Sequence, residues 1–115
     1  MKILTPLLHG FLDYATCAVF AAAPNLIGFT PFTARLSYVL AGIHLAMTLI
    51  TRFPLGVVKI LPFKIHSLVE LLVSVLLIIA SQLSPAFDGP ARIFFTVMAA
   101  AIFVVWLFTR IDEKE

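Results

Sequence analysis

The chain has 115 residues, 62% of them apolar and only 12% charged, with a formal net charge of +2. An ordinary soluble domain is roughly 45–50% apolar and about 25% charged, so this composition excludes a soluble fold, a disordered chain and a disulfide scaffold. Eight Lys/Arg against six Asp/Glu leave no basic footprint for nucleic acid, and the single cysteine, Cys17, cannot close an intrachain disulfide.

Four stretches carry no Asp, Glu, Lys or Arg: Tyr14–Ala34, Leu36–Thr51, Leu71–Phe87 and Ile93–Thr109. Crossing a bilayer takes about 20 mostly apolar residues, and each stretch reaches that length with its flanks. All seven prolines fall at segment edges. Pro6, Pro31, Pro62 and Pro90 stand where helices begin, where a missing N–H costs nothing. Thr5, Thr30 and Asp88 precede three of them as candidate caps. Pro24, Pro54 and Pro85 follow the segments and are expected to stop them. The predicted helices are 6–23, 31–52, 62–83 and 90–110, each roughly 27–33 Å long.

The first of these has some features of a signal peptide, with Met1-Lys2 ahead of it and the small run Ala21-Ala22-Ala23 at its end. His9 and Asp13 interrupt its apolar region, and the same pattern recurs inside the chain, so it is read as a retained helix.

A shift of 57 residues places Lys2-Ile3-Leu4 on Lys59-Ile60-Leu61, His9 on His66, Asp13 on Glu70, Asn25 on Gln82 and Ala34-Arg35 on Ala91-Arg92. One more residue of slip places Thr51-Arg52 on Thr109-Arg110. Polar matches are informative because polar residues are scarce here. The expected architecture is a single all-α transmembrane domain over 1–115, a four-helix bundle of two tandem hairpins, 2–53 and 59–111. A two-helix unit returns the chain to its starting side, so the copies should be related by a pseudo-two-fold along the membrane normal. Residues 53–61 link them, and Asp112-Glu113-Lys114-Glu115 forms a solvated tail.

Lys2, Arg52, Lys59, Lys64, Arg110 and Lys114 lie on one side, and Arg35 and Arg92 on the other. That bias predicts a multi-pass protein of the cytoplasmic membrane with both termini in the cytoplasm. Trp106, near the inner end of the last helix, suits an interfacial anchor.

The run His9-Gly10, Asp13-Tyr14, Ala23-Pro24, Gly28-Phe29 and a closing Thr51 resembles the Ser-Pro-Trp repeat family of small prokaryotic integral membrane proteins. His66, Glu70 and Thr109 carry the resemblance into the second hairpin. The name-giving triplet is replaced by Ala23-Pro24-Asn25 and Ala80-Ser81-Gln82. The resemblance implies membrane hairpins built as repeats and carries no activity.

Ionisable residues inside spans cost about 2.5–3.5 kcal/mol at mid-bilayer and normally face protein or water. His9, Asp13 and Thr16 share one face of the first helix by helical spacing. Ser37, Ala41, His44, Thr48 and Thr51 form a stripe on the second, and His66, Glu70 and Ser74 one on the third. Counting rise per residue from the inner ends puts Asp13, Glu70 and His44 roughly 10–12 Å deep, with His9, His66 and Thr48 in a lower layer about 5–6 Å deep. Arg52 and Arg110 lie below both.

Three chemistries suit a cluster of His9, Asp13, His44, His66 and Glu70, supported by Thr16, Thr48, Ser74, Arg52 and Arg110. The first is structural: a non-enzymatic bundle whose polar groups satisfy one another and fix register. The second is a proton or solute relay, for which four helices and a membrane carboxylate offer an architectural analogy to small multidrug transporters. The third is a divalent metal held by imidazole and carboxylate, or a haem held between His9 and His66. The structural role is the primary expectation, and it calls for no cofactor. The expected surroundings are the lipid bilayer and either further copies of the chain or a larger membrane complex, with no nucleic acid. Cys17 is read as a packing residue.

Overall fold

The computed structural model describes residues 3–109. Lys2, Arg110, Lys114 and the acidic tail therefore lie outside the described residues. The chain forms helices α1 (Pro6–Ala23), α2 (Pro31–Ile50), α3 (Phe63–Leu83) and α4 (Gly89–Phe108). All four are long and apolar enough to cross a membrane. α1 packs along α2, and α3 along α4. The two hairpins then face one another across a shared interior.

Helix boundaries follow the prolines with two corrections. Thr5 caps α1 as expected, its hydroxyl accepting from the Leu8 N–H at 3.2 Å. Thr30 and Asp88 precede their helices but make no side-chain cap bond. Pro24 does not stop the first helix. It keeps helical angles (φ −57°, ψ −40°) and opens a π-helical turn over Pro24–Gly28. The carbonyl that a Pro24 N–H would have served, that of Phe20, accepts from the Ser37 hydroxyl at 2.6 Å instead, and the turn that follows is wide, its Phe29 N–H reaching back five residues to the Pro24 carbonyl. Gly28, at φ 86°, ends that turn in a conformation that L side chains rarely adopt. α2 and α4 also end at Ile50 and Phe108, each two residues before the predicted limit. Leu61 N–H then donates to the Ile50 carbonyl, and Arg52 N–H to the Leu61 carbonyl.

Buried positions fall in matching series. On α1, His9, Gly10, Asp13, Cys17 and Phe20 are buried, and on α3, His66, Ser67, Glu70, Ser74 and Leu77, each 57 residues later. On α2, Thr33, Ser37, Ala41 and His44 are buried, and on α4, Ala91, Phe95, Ala99 and Ile102, each 58 later. Outward faces carry Phe11, Val19, Ile43, Leu72, Leu76, Val97 and Val104. Such continuous apolar surface suits hydrocarbon rather than water.

The interior divides along its length. Toward the α1–α2 and α3–α4 turns lies an aromatic core of Phe20, Phe87 and Phe95, with Leu77, Ala41, Ala91 and Ala99. There Arg92 Nη1 donates to the Ser81 and Gln82 carbonyls at 2.7 and 2.9 Å. A cation thus closes the C-terminal end of α3, where unpaired carbonyls favour positive charge. At the other end the buried groups are polar, and the loop between α2 and α3 folds across them. Tyr14 donates its hydroxyl proton to the Leu55 carbonyl at 2.8 Å, fastening the loop to α1.

Gly56 is required in that loop, since a Cβ there would stand 1.9 Å from the Thr51 carbonyl oxygen. Gly56→Ala should lower stability by roughly 1–3 kcal/mol, the usual cost of overpacking. A methyl group at Gly42 would meet nothing within 4 Å, so Gly42→Ala should leave stability unchanged or slightly raised. Thermal melts of the two variants in detergent give the comparison, and equal behaviour would show that the loop does not hold Thr51 in place.

Candidate functional site

Each hairpin places a histidine and an acid on its first helix at i, i+4 spacing, which stacks their side chains on one face. His9 and Asp13 project from α1, His66 and Glu70 from α3, and His44 reaches in from α2. His9 and His66 are completely buried, Asp13 and Glu70 are 3% exposed and His44 8%. Five ionisable side chains thus share a volume with almost no access to solvent.

The distances describe convergence on one point. His9 Nε2 lies 3.3 Å from Asp13 Oδ1 and 2.8 Å from Glu70 Oε1. His66 Nε2 lies 2.9 Å from Asp13 Oδ2 and 3.2 Å from Glu70 Oε2. His44 Nε2 lies 3.2 Å from Asp13 Oδ1 and 3.4 Å from Glu70 Oε2. Ligating atoms of His9, Asp13, His66 and Glu70 all fall within 4.8 Å of one another. The two expected layers are therefore one. Depth counted along the backbone separates His9 from Asp13, but the imidazoles span the gap.

Close approach is not the same as hydrogen bonding here. His9 Nε2, His66 Nε2, Asp13 Oδ2 and Glu70 Oε1 are buried and make no directed hydrogen bond, although each has an oppositely typed atom within 3 Å. Toward the carboxylates, among the described residues, it is His44 Nε2 that makes a directed bond, to Asp13 Oδ1 at 3.2 Å.

Two threonines set the protons of the two fully buried rings. Thr51 Oγ1 donates to the Met47 carbonyl at 2.6 Å and lies 2.6 Å from His66 Nδ1. A hydroxyl has one proton. With that proton on Met47, the oxygen accepts from His66, so Nδ1 carries a hydrogen. Thr109 Oγ1 donates to the Val105 carbonyl and lies 2.8 Å from His9 Nδ1, which by the same reasoning is also protonated. In a neutral ring each Nε2 then presents a lone pair toward the carboxylates. The contacts are reciprocal: His9 meets a threonine from the second hairpin, and His66 one from the first. The backbone repeats the exchange, with Leu4 N–H on the Phe108 carbonyl and Leu61 N–H on the Ile50 carbonyl. Phe63 stacks edge-on against His9 with ring centres 5.2 Å apart, and Phe53 lies 5.7 Å from His66, closing the side toward the α2–α3 loop.

The supporting residues divide differently from the sequence expectation. Thr16, Thr48 and Ser74 turn their hydroxyls to carbonyls of their own helices, at Leu12, His44 and Leu71, and do not enter the cluster. Short hydroxyl side chains reach the preceding turn more easily than a neighbouring helix. Arg52 is exposed at the end of the bundle that carries the loop between α2 and α3, and Arg110 lies outside the described residues. The groups missed as site residues are Thr51 and Thr109. Their signal in the sequence is the Thr-Arg pair that ends each hairpin, which marks the repeat and says nothing of a histidine partner.

Donor atoms around a single first-row ion at about 2.1 Å stand roughly 3.0–3.4 Å apart. The six nitrogen–oxygen distances fall in or close to that range. A macrocycle between His9 and His66 does not fit, because Asp13 and Glu70 fill the space that a haem plane would need. Comparison with protein-family models, curated proteins and solved structures gives no match.

Thr51→Val and Thr109→Val should each leave a buried imidazole N–H without an acceptor, at a cost of about 1–3 kcal/mol. The two losses should be similar in size, and Ser at either position should restore most of the stability. Denaturant or thermal titration in detergent measures this; a neutral Val variant would show that the hydroxyls do not hold the rings.

Proposed function

We propose that this protein is an integral-membrane metalloprotein whose buried centre binds one divalent first-row transition ion through His9, His66, Asp13 and Glu70, joined by His44 when the ion displaces the proton that His44 Nε2 shares with Asp13 Oδ1. The observation that carries the reading is the set of four buried, undirected atoms, His9 Nε2, His66 Nε2, Asp13 Oδ2 and Glu70 Oε1, facing one another across ligand-like distances. A hydrogen-bonded structural cluster would align each donor on an acceptor, because unpaired buried polar atoms are costly. A cation satisfies all of them together. Its two charges also balance the two carboxylates in surroundings that disfavour net charge.

The protons point the same way. Histidine ligands usually donate their second ring N–H to an outer partner, which fixes the tautomer and orients the lone pair. Thr51 and Thr109 are such partners. Mixed imidazole and carboxylate donors suit zinc, iron, manganese or cobalt rather than calcium or magnesium, and the donor set includes no thiolate.

The wider frame is a tandem duplication of one hairpin, related by a pseudo-two-fold along the membrane normal, with the ion on that axis. The matched burial series and the exchanged His–Thr contacts support it. The short motif shared with the Ser-Pro-Trp repeat proteins is consistent with such a frame. The basic residues argue for the cytoplasmic membrane with both termini inside, and the small extramembrane portion suits assembly with further copies or a larger membrane complex.

Metal analysis of protein purified without chelator should give one transition ion per chain. Asp13→Asn and His66→Ala should each lower occupancy at least tenfold, and acidification should release the ion as protons compete for its ligands. Folded protein that stays metal-free after exposure to zinc, iron, manganese and cobalt would return the cluster to a structural or proton-relay role. In a separate test, a reporter inserted in the 25–30 turn should read as periplasmic and one fused at Glu115 as cytoplasmic; the reverse result would overturn the orientation.

A further inference from the structure

The site's near-symmetry fails at one place. His9 matches His66, Asp13 matches Glu70, and Thr51 matches Thr109. His44 has no equivalent ligand, because the 58-residue shift that relates the buried faces of α2 and α4 puts Ile102 in its register. With one atom taken from each side chain and His44 included, donors come from α1, α2 and α3, and the side of the site facing α4 holds no ligating side chain among the described residues.

The space around the cluster differs in the same sense. Beside His44, the cleft lined by Leu40, Ile43, Met47, Val69 and Val73 has a volume of only about 30 Å³. At the equivalent place beside Ile102, the cavity is about 150 Å³. Its walls include Leu12, Thr16, Met98, Ala101 and Val105, and Asp13 and Glu70 form its polar end. Ala101 stands where the first hairpin has Ile43, which enlarges this side further. Leu12 and Val19, also on its wall, are exposed on the apolar outer surface of α1, so the cavity opens toward the lipid.

Resting on the metal reading above, we propose that the ion keeps one coordination position for an external ligand, reached from the bilayer through the cavity between α1 and α4. The ligand is a small uncharged molecule that binds a transition ion through a single atom, the class that includes dioxygen. Its chemistry follows from the walls. Among the described residues no cationic side chain lines the cavity, and two carboxylates already face its inner end, so an anion is disfavoured. Thr16 has committed its hydroxyl proton to the Leu12 carbonyl, leaving no lining hydroxyl donor for a strongly polar ligand. A cavity of about 150 Å³ with apolar walls accepts molecules up to the size of benzene.

Nitric oxide is a suitable probe, because it is small, uncharged and lipid-soluble, and it gives Fe(II) a half-integer-spin paramagnetic signal when it coordinates. The purified full-length protein is loaded anaerobically with Fe(II), its iron content is measured, and nitric oxide is added. The expected result is one iron per chain and one nitrosyl signal per iron. Ala101→Phe should fill the cavity, and Ile102→His should supply a ligand from α4. Both should keep the iron and lose at least nine-tenths of the signal, whereas Ala100→Phe on the outer face of α4 should keep both. Iron-loaded wild-type protein that gives no nitrosyl signal, or a signal unchanged in both cavity variants, would overturn the open position while leaving the metal centre standing. Failure to bind iron, together with failure to bind zinc, manganese or cobalt, would overturn the metal centre and this inference with it.

Discussion

Two carboxylates placed inside an apolar bundle impose the constraint on which the rest of this molecule depends. Hydrocarbon offers them no hydrogen bonds, and their charge must be met inside the protein. Asp13 and Glu70 are brought together, so neither can be satisfied by a helix of its own. Three imidazoles converge on them from α1, α2 and α3. The i, i+4 spacing on α1 and α3 aims two of the rings, and Thr51 and Thr109 hold those rings by their far nitrogens. The loop between α2 and α3 is tightly shaped for the same reason, since Thr51 stands at its start and Gly56 passes against the Thr51 carbonyl.

The two ends of the bundle divide the work. Phe20, Phe87 and Phe95 interlock edge to face or tilted at one end, giving the hairpins a packed contact that needs no polar group. At the other end the contact is chemical. Hydrophobic burial gives little drive between helices in lipid, so packing and polar bonds must hold them together. A metal on the proposed two-fold axis would serve that purpose, tying α1, α2 and α3 to one atom. It would also explain why nearly equivalent hairpins retain one unequal position. Symmetric filling by a second histidine would close the coordination sphere, whereas Ile102 and Ala101 leave room beside it.

Much of this was legible in the sequence, because the signals were physical and strong. Charge-free stretches bounded by prolines located the four helices to within about two residues. Rarity made the polar residues informative, and His9, Asp13, His44, His66 and Glu70 all meet in one cluster. Three features were hidden for identifiable reasons. Backbone rise gave His9 and Asp13 separate depths, because it ignores how far an imidazole reaches. Pro24 reads as a stop, yet the Ser37 hydroxyl on α2 serves the Phe20 carbonyl that its missing N–H leaves free, and no local sequence rule specifies a contact between helices. Thr51 and Thr109 looked like helix-end residues, since their roles depend on contacts between hairpins, with sequence separations of 15 and 100 residues. The cavity beside Ile102 was foreshadowed only by the absence of a partner for His44.

Anomalous diffraction from crystals grown without chelator tests the central claim most directly, with data collected on both sides of the absorption edge of the metal found in the protein. The account predicts one peak per chain, about 2.1 Å from His9 Nε2 and His66 Nε2, with Asp13 and Glu70 oxygens in the same coordination sphere. A well-ordered cluster with no anomalous peak, in which imidazole N–H groups point directly at carboxylate oxygens, would contradict it.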